Sequence, residues 1–238
     1  MRTVLGYCLF IPFALLFIVL AFPLVFLPTS VRYENRFYFF LSSCMSRAFF
    51  RCMGISYKIE GAEFLPAYPG EPSICIANHA SALDIFALEL LLKSYPRVWM
   101  SKAGYMSVPF LGTILSRMHV PLHYTSVYDG VRSLAKIKAL VQGRSSHALL
   151  FPEGGRYVDG KIHPFFAGFA ILARKLQRPV VPVFIKNAGS LMPPHSFRIA
   201  YNSQLVLRVG KPFVLQEGET NQAFCARVQA WFEKENAR

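Results

Sequence analysis

Acidic residues are scarce in this chain of 238 residues: 13 Asp and Glu stand against 26 Lys and Arg, for a formal net charge of +13. No acid occurs between Glu89 and Asp129, or between Asp159 and Glu217. No charge of either sign occurs between Arg2 and Arg32. Charged residues reach only 16% and hydrophobic ones 53%, with a mean hydropathy of +0.34. Soluble domains carry about 25% charged residues, so these values exclude disorder and argue against a purely soluble chain. A basic, apolar, aromatic-rich chain prefers an anionic membrane or a phosphorylated ligand. Nucleic acid matches the charge but not the hydropathy.

A CxxC pair, a Cys/His cluster at zinc spacing and a GxSxG elbow are also missing. Their absence speaks against a metal site, a redox dithiol and a serine-elbow hydrolase. The five cysteines, Cys8, Cys44, Cys52, Cys75 and Cys225, lie scattered in apolar stretches. They read as buried free thiols in a reducing compartment. The length suits one domain with an appendage.

The appendage is the run VLGYCLFIPFALLFIVLAFPLVFL, Val4 to Leu27. About 20 apolar residues suffice to cross a bilayer core. Pro12 and Pro23 leave a tilted, broken or re-entrant helix open. A two-helix membrane-embedded hairpin, residues 4–27 and about 37–52, is the second topology; a buried helix of a soluble domain is the plain alternative. Aromatics interleaved with Arg32, Arg36, Arg47 and Arg51 suit a headgroup layer. Four arginines after the apolar run against one before it predict a cytoplasm-facing domain, at the inner membrane if the source is bacterial. Residues 1–52 thus read as a membrane anchor and residues 53–238 as the working domain.

Beyond Gly54 apolar runs alternate in type. Residues 55–59, 73–77, 97–100, 148–151, 180–185 and 205–209 read as strands. Residues 84–93, 131–141, 168–176 and 221–235 read as helices. This predicts an α/β fold, a mixed sheet flanked by helices, behind the N-terminal helix or hairpin.

Two segments carry chemistry. In IANHASALDIFALELL, His79 and Asp84 are five residues apart, about 140° apart on one continuous helix. If the helix begins at Ser81, then Ser81 is its N-cap and Asp84 its N3 residue, a capping box. His79 then lies in the loop before it and can fold back to Asp84. A carboxylate on one imidazole nitrogen orients the ring and makes the other nitrogen a general base. The plainer readings are a structural histidine and a capping aspartate. The second segment, Phe151-Pro152-Glu153-Gly154-Gly155-Arg156, follows a strand-like run. Its glycines let backbone N–H groups approach an anion, and Arg156 can fork onto a phosphate with Glu153 holding the guanidinium. An ordinary Gly-Gly turn is the plainer reading.

Together these segments resemble the glycerolipid acyltransferase family. Its NHxSxxD block matches at Asn78, His79, Ser81 and Asp84, and its FPEGTR block at five of six positions, with Gly155 in place of Thr. Lys102, Pro109 and Gly112 fit the block between, and Val181-Pro182-Val183 resembles the last one. The resemblance implies acyl transfer from acyl-CoA or acyl-carrier protein, used as co-substrate, to a lysophospholipid hydroxyl in a phospholipid membrane. The leading acceptor is 1-acylglycerol-3-phosphate, giving phosphatidic acid. Another lysolipid acceptor and a catalytically silent lipid-binding protein are the alternatives. His79 and Asp84 are then catalytic, and Lys102, Glu153, Gly154, Gly155 and Arg156 bind substrate. No cofactor, metal or nucleic acid is implied. The family commonly has an arginine where Tyr124 stands, after His123, and Arg117 lies seven residues earlier.

Overall fold

Seven strands form one sheet: β1 (Tyr57–Glu60), β2 (Ile74–Ala77), β3 (Arg97–Lys102), β4 (Val120–Leu122), β5 (His147–Leu150), β6 (Val180–Lys186) and β7 (Leu205–Val209). The computed structural model describes residues 1–65, 72–122 and 127–238, with the backbone alone at 102, 103, 105, 122 and 127. The strand order is β1-β7-β6-β2-β5-β3-β4, and every pair is parallel except β6 with β7. The helices are α1 (Arg2–Ala21), α2 (Thr29–Arg32), α3 (Arg36–Met53), α4 (Leu83–Leu92), α5 (Leu111–Met118), α6 (Val127–Val141), α7 (Gly168–Leu176), α8 (Ala188–Leu191) and α9 (Asn221–Asn236). The expected mixed sheet flanked by helices is present. Sequence patterning missed β4, α5 and the one-turn helices α2 and α8. β4 is three residues long with Pro121 at its centre, too short to show a period, and proline argues against a strand interior.

Parallel strands covered on both faces read as continuous apolar runs, and alternate residues serve opposite cores. In β2, Cys75 and Ala77 enter the cluster built with α3, α4 and α8. Ile74 and Ile76 enter the cluster built with α6, α7 and α9. Helix α4 is wedged between α3 and the sheet, so Leu83, Ala87, Leu88, Leu90, Leu91 and Leu92 are all buried. A buried leucine contributes about 1.5–3 kcal/mol.

A charged network lies inside that wedge. Arg97, fully buried in β3, donates from Nε to Glu89 Oε1 of α4 at 2.9 Å, and its Nη1 donates to the carbonyls of Lys93 and Tyr95. Trp99 Nε1 donates to Glu89 Oε1 at 2.8 Å, and Ser42 of α3 donates to Oε2. Burial pushes the Glu89 carboxyl up, but the Arg97 charge and these donors outweigh it and hold it down to about 2.

The N-terminal segment is a hairpin. Helix α1 stops at Ala21, directly before Phe22-Pro23, and the chain tightens into a 3-10 turn over Pro23–Phe26, because proline lacks the N–H that a further α-turn needs. Pro12 lies within α1 without ending it. Asn35 caps α3, its side chain accepting from Phe37 N and Tyr38 N, and Gly54 closes it in the left-handed conformation. Contacts of Gly6 with Cys52 and Met53, Phe10 with Phe49 and Phe17 with Tyr38 show that α1 and α3 are antiparallel. A Cβ at Gly6 would stand 2.9 Å from Cys52 O, so glycine permits the close approach.

Both ends of α1 touch the globular part. Arg2 lies 3.9 Å over the Tyr201 ring and Tyr7 contacts Met192, while Phe22, just past α1, meets Phe110. Residues 2–26 are long and apolar enough to cross a membrane, with mean hydropathy 2.8. Yet Val4, Leu5, Leu9, Leu15, Leu16 and Val19 are exposed. The thiols differ from expectation: Cys75 and Cys225 are buried, Cys44 and Cys52 partly so, and Cys8 lies exposed on α1. Membrane-like composition placed Cys8 in an apolar run, but that run presents its surface outward.

Candidate active site

Two adjacent strands release their connections in opposite directions. β2 continues through α4 on one face of the sheet to β3, and β5 continues through α7 on the other face to β6. A crevice forms at the carboxyl ends of strands at such a switch point. His79 follows β2 and the turn Phe151 to Arg156 follows β5, so both expected segments meet there.

The loop after β2 is fixed by side chains that recognise backbone. Asn78, buried, accepts from Ile185 N at 2.7 Å and donates to Ile185 O at 2.9 Å. Ser81 Oγ donates to Met192 O at 2.6 Å and accepts from Leu83 N at 3.1 Å. One oxygen of Asp84, Oδ2, accepts from Ala80 N and Ser81 N, each at 2.8 Å. The expected capping box is displaced. Ala82 occupies the cap position, and Ser81 serves Leu83 rather than Asp84, although the aspartate does reach back to Ser81 N.

The same Oδ2 stands 2.8 Å from His79 Nδ1. The helix break brings together residues that a continuous helix would hold apart. Asp84 is fully buried, while the His79 side chain keeps 12% of its surface. Phe151 stacks on the imidazole with ring centroids 3.9 Å apart and planes at 10°. Trp99, hydrogen-bonded to Glu89, leans on Phe151 at 5.7 Å. The ring is thus held by its edge and its face.

The turn after β5 clasps the His79 backbone on both sides. Glu153 Oε1 accepts from His79 N at 2.8 Å, and Tyr157 N donates to His79 O at 3.0 Å. Glu153 Oε2 accepts from His163 N at 3.0 Å, so its carboxylate joins the two loops. Burial pushes the Glu153 carboxyl above its usual range, against these two donors. Gly154 adopts φ +70°, and a Cβ there would stand 2.8 Å from the Phe166 ring. Arg156 Nε donates to His79 Nε2 at 3.1 Å. With Nε2 accepting, the proton sits on Nδ1 and faces Asp84.

His79, Asp84, Glu153, Gly154, Gly155 and Arg156 therefore gather at one place. Lys102 ends β3, and its side chain lies outside the described residues, as do His123 and Tyr124. Arg117 stands on α5 with its guanidinium 5.0 Å over the Phe26 ring. Among the described residues no group of His, Cys, Asp and Glu gathers as a metal site. Sequence reading missed the clamp of Asn78 and the stack of Phe151. Their places, one residue beyond a buried strand, are the only local signal of either.

An acyltransferase family model matches residues 56–186, more than half of the chain. The chain belongs to the acyltransferase family. The matched stretch runs from β1 to β6 and includes His79, Asp84 and the turn Phe151 to Arg156. A chloroplastic 1-acyl-sn-glycerol-3-phosphate acyltransferase from Brassica napus is 32% identical over 184 residues, 76% of this chain and 52% of its own. One from Arabidopsis thaliana is 33% identical over 156 residues, 65% of this chain and 43% of its own. One from Saccharomyces cerevisiae is 31% identical over 179 residues, 70% of this chain and 56% of its own. The chain spans about half the length of these relatives. The crystal structure of the 1-acyl-sn-glycerophosphate acyltransferase PlsC from Thermotoga maritima superposes with a TM-score of 0.75 at 19% identity, covering 100% of this chain and 98% of that one. The two share the acyltransferase fold.

Proposed function

We propose that this protein moves an acyl chain from acyl-CoA or acyl-carrier protein to a lysophospholipid hydroxyl, with 1-acylglycerol-3-phosphate as acceptor and phosphatidic acid as product. The contact that carries the reading is His79 Nδ1 to Asp84 Oδ2, 2.8 Å, which leaves Nε2 as the basic nitrogen. The names of the relatives supply the acceptor.

His79 Nε2 takes the hydroxyl proton as the oxygen attacks the thioester carbonyl carbon. Asp84 holds the Nδ1 proton and stabilises the imidazolium that forms. The tetrahedral intermediate collapses, its carbonyl re-forms, and the C–S bond breaks. The proton on Nε2 then passes to the departing thiolate. A thioester is already activated, so no enzyme nucleophile is required; positioning of both substrates does the remaining work. Arg156 binds the acceptor phosphate, with Gly154 and Gly155 opening space beside it. Glu153 and Lys102 complete the substrate side, the former by holding the loop. Tyr124, at the family's usual arginine, favours a second reading in which the acceptor carries a substituted phosphate.

Residues 1–52 form the membrane anchor and residues 53–238 the acyltransferase domain. Contact of both ends of α1 with the domain favours the hairpin lying in one leaflet over a single crossing helix. The arginines after the apolar run, Arg32, Arg36, Arg47 and Arg51, favour the cytoplasmic side for the domain.

The test is thioester consumption with and without a panel of lysolipids, with products identified by mass spectrometry. Transfer to lysophosphatidate is expected, and His79→Ala should lower it roughly 10²–10⁴-fold. Full turnover in a folded His79→Ala protein, or thioester loss without acylated product, overturns the reading.

A further inference from the structure

The lone pair that the reaction needs is already engaged. Arg156 Nε donates to His79 Nε2 at 3.1 Å, and Nδ1 is held by Asp84, so Nε2 is the only acceptor of the ring. A hydroxyl that gives its proton to His79 must come within about 2.6–3.2 Å of that same atom. Arg156 and the hydroxyl therefore compete for one position.

The backbone around this contact is fixed. Glu153 accepts from His79 N and Tyr157 N donates to His79 O. Glu153 and Tyr157, which flank the stretch Gly154-Gly155-Arg156, are thus both tied to residue 79. Release of the lone pair falls to the Arg156 side chain, which is only partly buried.

We infer that Arg156 is a catch on the base: it caps His79 until an acceptor phosphate draws the guanidinium away, and only then can His79 accept a proton. This rests on the acyl-transfer reading and adds a condition on when the base works. Phosphate attracts the guanidinium more strongly than imidazole does, because it offers an ion pair with two parallel hydrogen bonds. In 1-acylglycerol-3-phosphate the free hydroxyl is on the carbon next to the one bearing the phosphate ester. Movement of Arg156 toward the phosphate vacates the position that the hydroxyl then fills. Water brings no anion with it. A thioester bound alone is therefore protected from hydrolysis, and the catch selects for transfer.

The test uses the full chain in neutral detergent micelles with dodecyl phosphate as probe, which carries the phosphate and a chain but no hydroxyl. Two quantities are followed: carbethoxylation of His79 by diethylpyrocarbonate, read by peptide mass spectrometry, and acceptor-free thioester hydrolysis. In the unmodified protein the probe should raise His79 modification about tenfold or more, the range set by one hydrogen bond from a charged donor, and hydrolysis should rise with it. Dodecyl phosphocholine, whose phosphate is substituted, should do less. Arg156→Ala, checked for folding by its melt, should show both rates raised without probe and no response to it. Modification of the unmodified protein that ignores the probe overturns the catch without relying on any variant. So does an Arg156→Ala protein that loses transfer while His79 modification and hydrolysis stay at their starting values, and the acyl-transfer reading then survives. If no lysolipid is acylated but the probe still exposes His79, the acyl-transfer reading falls and the release of His79 by phosphate stands.

Discussion

Asn78 holds the Ile185 backbone at both ends of its side-chain amide, 2.7 Å to the nitrogen and 2.9 Å to the oxygen. It extends the β2–β6 pairing by one side chain at the point where β2 ends. His79 departs from that fixed point, so the general base is aimed from the sheet rather than from a free loop.

Asn78→Asp keeps the size but faces the Ile185 carbonyl with a second acceptor. The protein should lose about 1–3 kcal/mol of stability, the cost of a buried carbonyl left without a donor. Turnover should fall while the thioester KM stays near its starting value. Thermal melts beside steady-state kinetics check this; unchanged turnover would show that the clamp does not aim His79.

Asp84→Asn separates charge from geometry. The one carboxylate oxygen Oδ2 takes every hydrogen bond, and Oδ1 has no partner among the described residues. The asparagine oxygen can keep the three bonds while its NH2 occupies the Oδ1 position. Local structure should persist, yet the imidazolium loses its counter-charge. Turnover should fall on the order of 10²-fold or more, with a melting point lowered by only a few degrees. A purely structural aspartate would give the reverse, a small rate change and a clear loss of stability.

Much of the architecture is legible in the sequence because buried strands are short apolar runs. Ile74 to Ala77 and Val180 to Ile185 are almost purely apolar, and both are central strands. The meeting of His79 with Asp84 is legible once a helix start is placed between them. Contacts that join distant segments are not. Nothing local tells that Phe151 stacks on His79, that Glu153 serves two backbone amides, or that Glu89 finds Arg97 and Ser42. Such partners are set by sheet order, and that order follows from how the crossovers pack. The displaced capping box has the same origin: the backbone carbonyl of Met192, far along the chain, accepts the hydrogen bond of the Ser81 hydroxyl.

Stability should fall with acid in two windows. Burial holds His119 and His147 down at about 4; the Arg97 charge adds to this on both, while the Glu89 charge opposes it on His119. Their folded values lie below the unfolded value near 6.5, so the unfolded chain binds more protons between the two. Stability is full above about pH 6.5 and declines toward pH 4, by as much as about 3 kcal/mol per histidine. Glu89, held at about 2, adds a second decline from about pH 4.5 downward. Denaturant melts across pH should show the first decline, and His147→Asn should flatten part of it. Its side-chain oxygen can replace Nδ1 as acceptor for Ser73 N and Oγ, which now lie 3.1 and 2.9 Å away. A flat profile from pH 7 to 5 would refute buried neutral histidines.

Glu153 and Arg156 are neighbours in one turn, and their variants should fail differently. Both oxygens of Glu153 accept backbone N–H groups, from His79 and from His163. Glu153→Gln can satisfy only one, because its NH2 must face the other donor. The expected result is a lower melting point and lower turnover on every acceptor alike, with the ratio between lysophosphatidate and a zwitterionic lysolipid unchanged. Arg156→Lys keeps a positive charge but loses the planar fork. It should raise the KM for lysophosphatidate, leave the melting point nearly unchanged, and shift the preference toward the zwitterionic lysolipid. Measuring KM, kcat and melting temperature for both variants on both acceptors decides the assignment. If Glu153→Gln alters acceptor preference while Arg156→Lys does not, the phosphate contact belongs to the glutamate loop and not to the guanidinium.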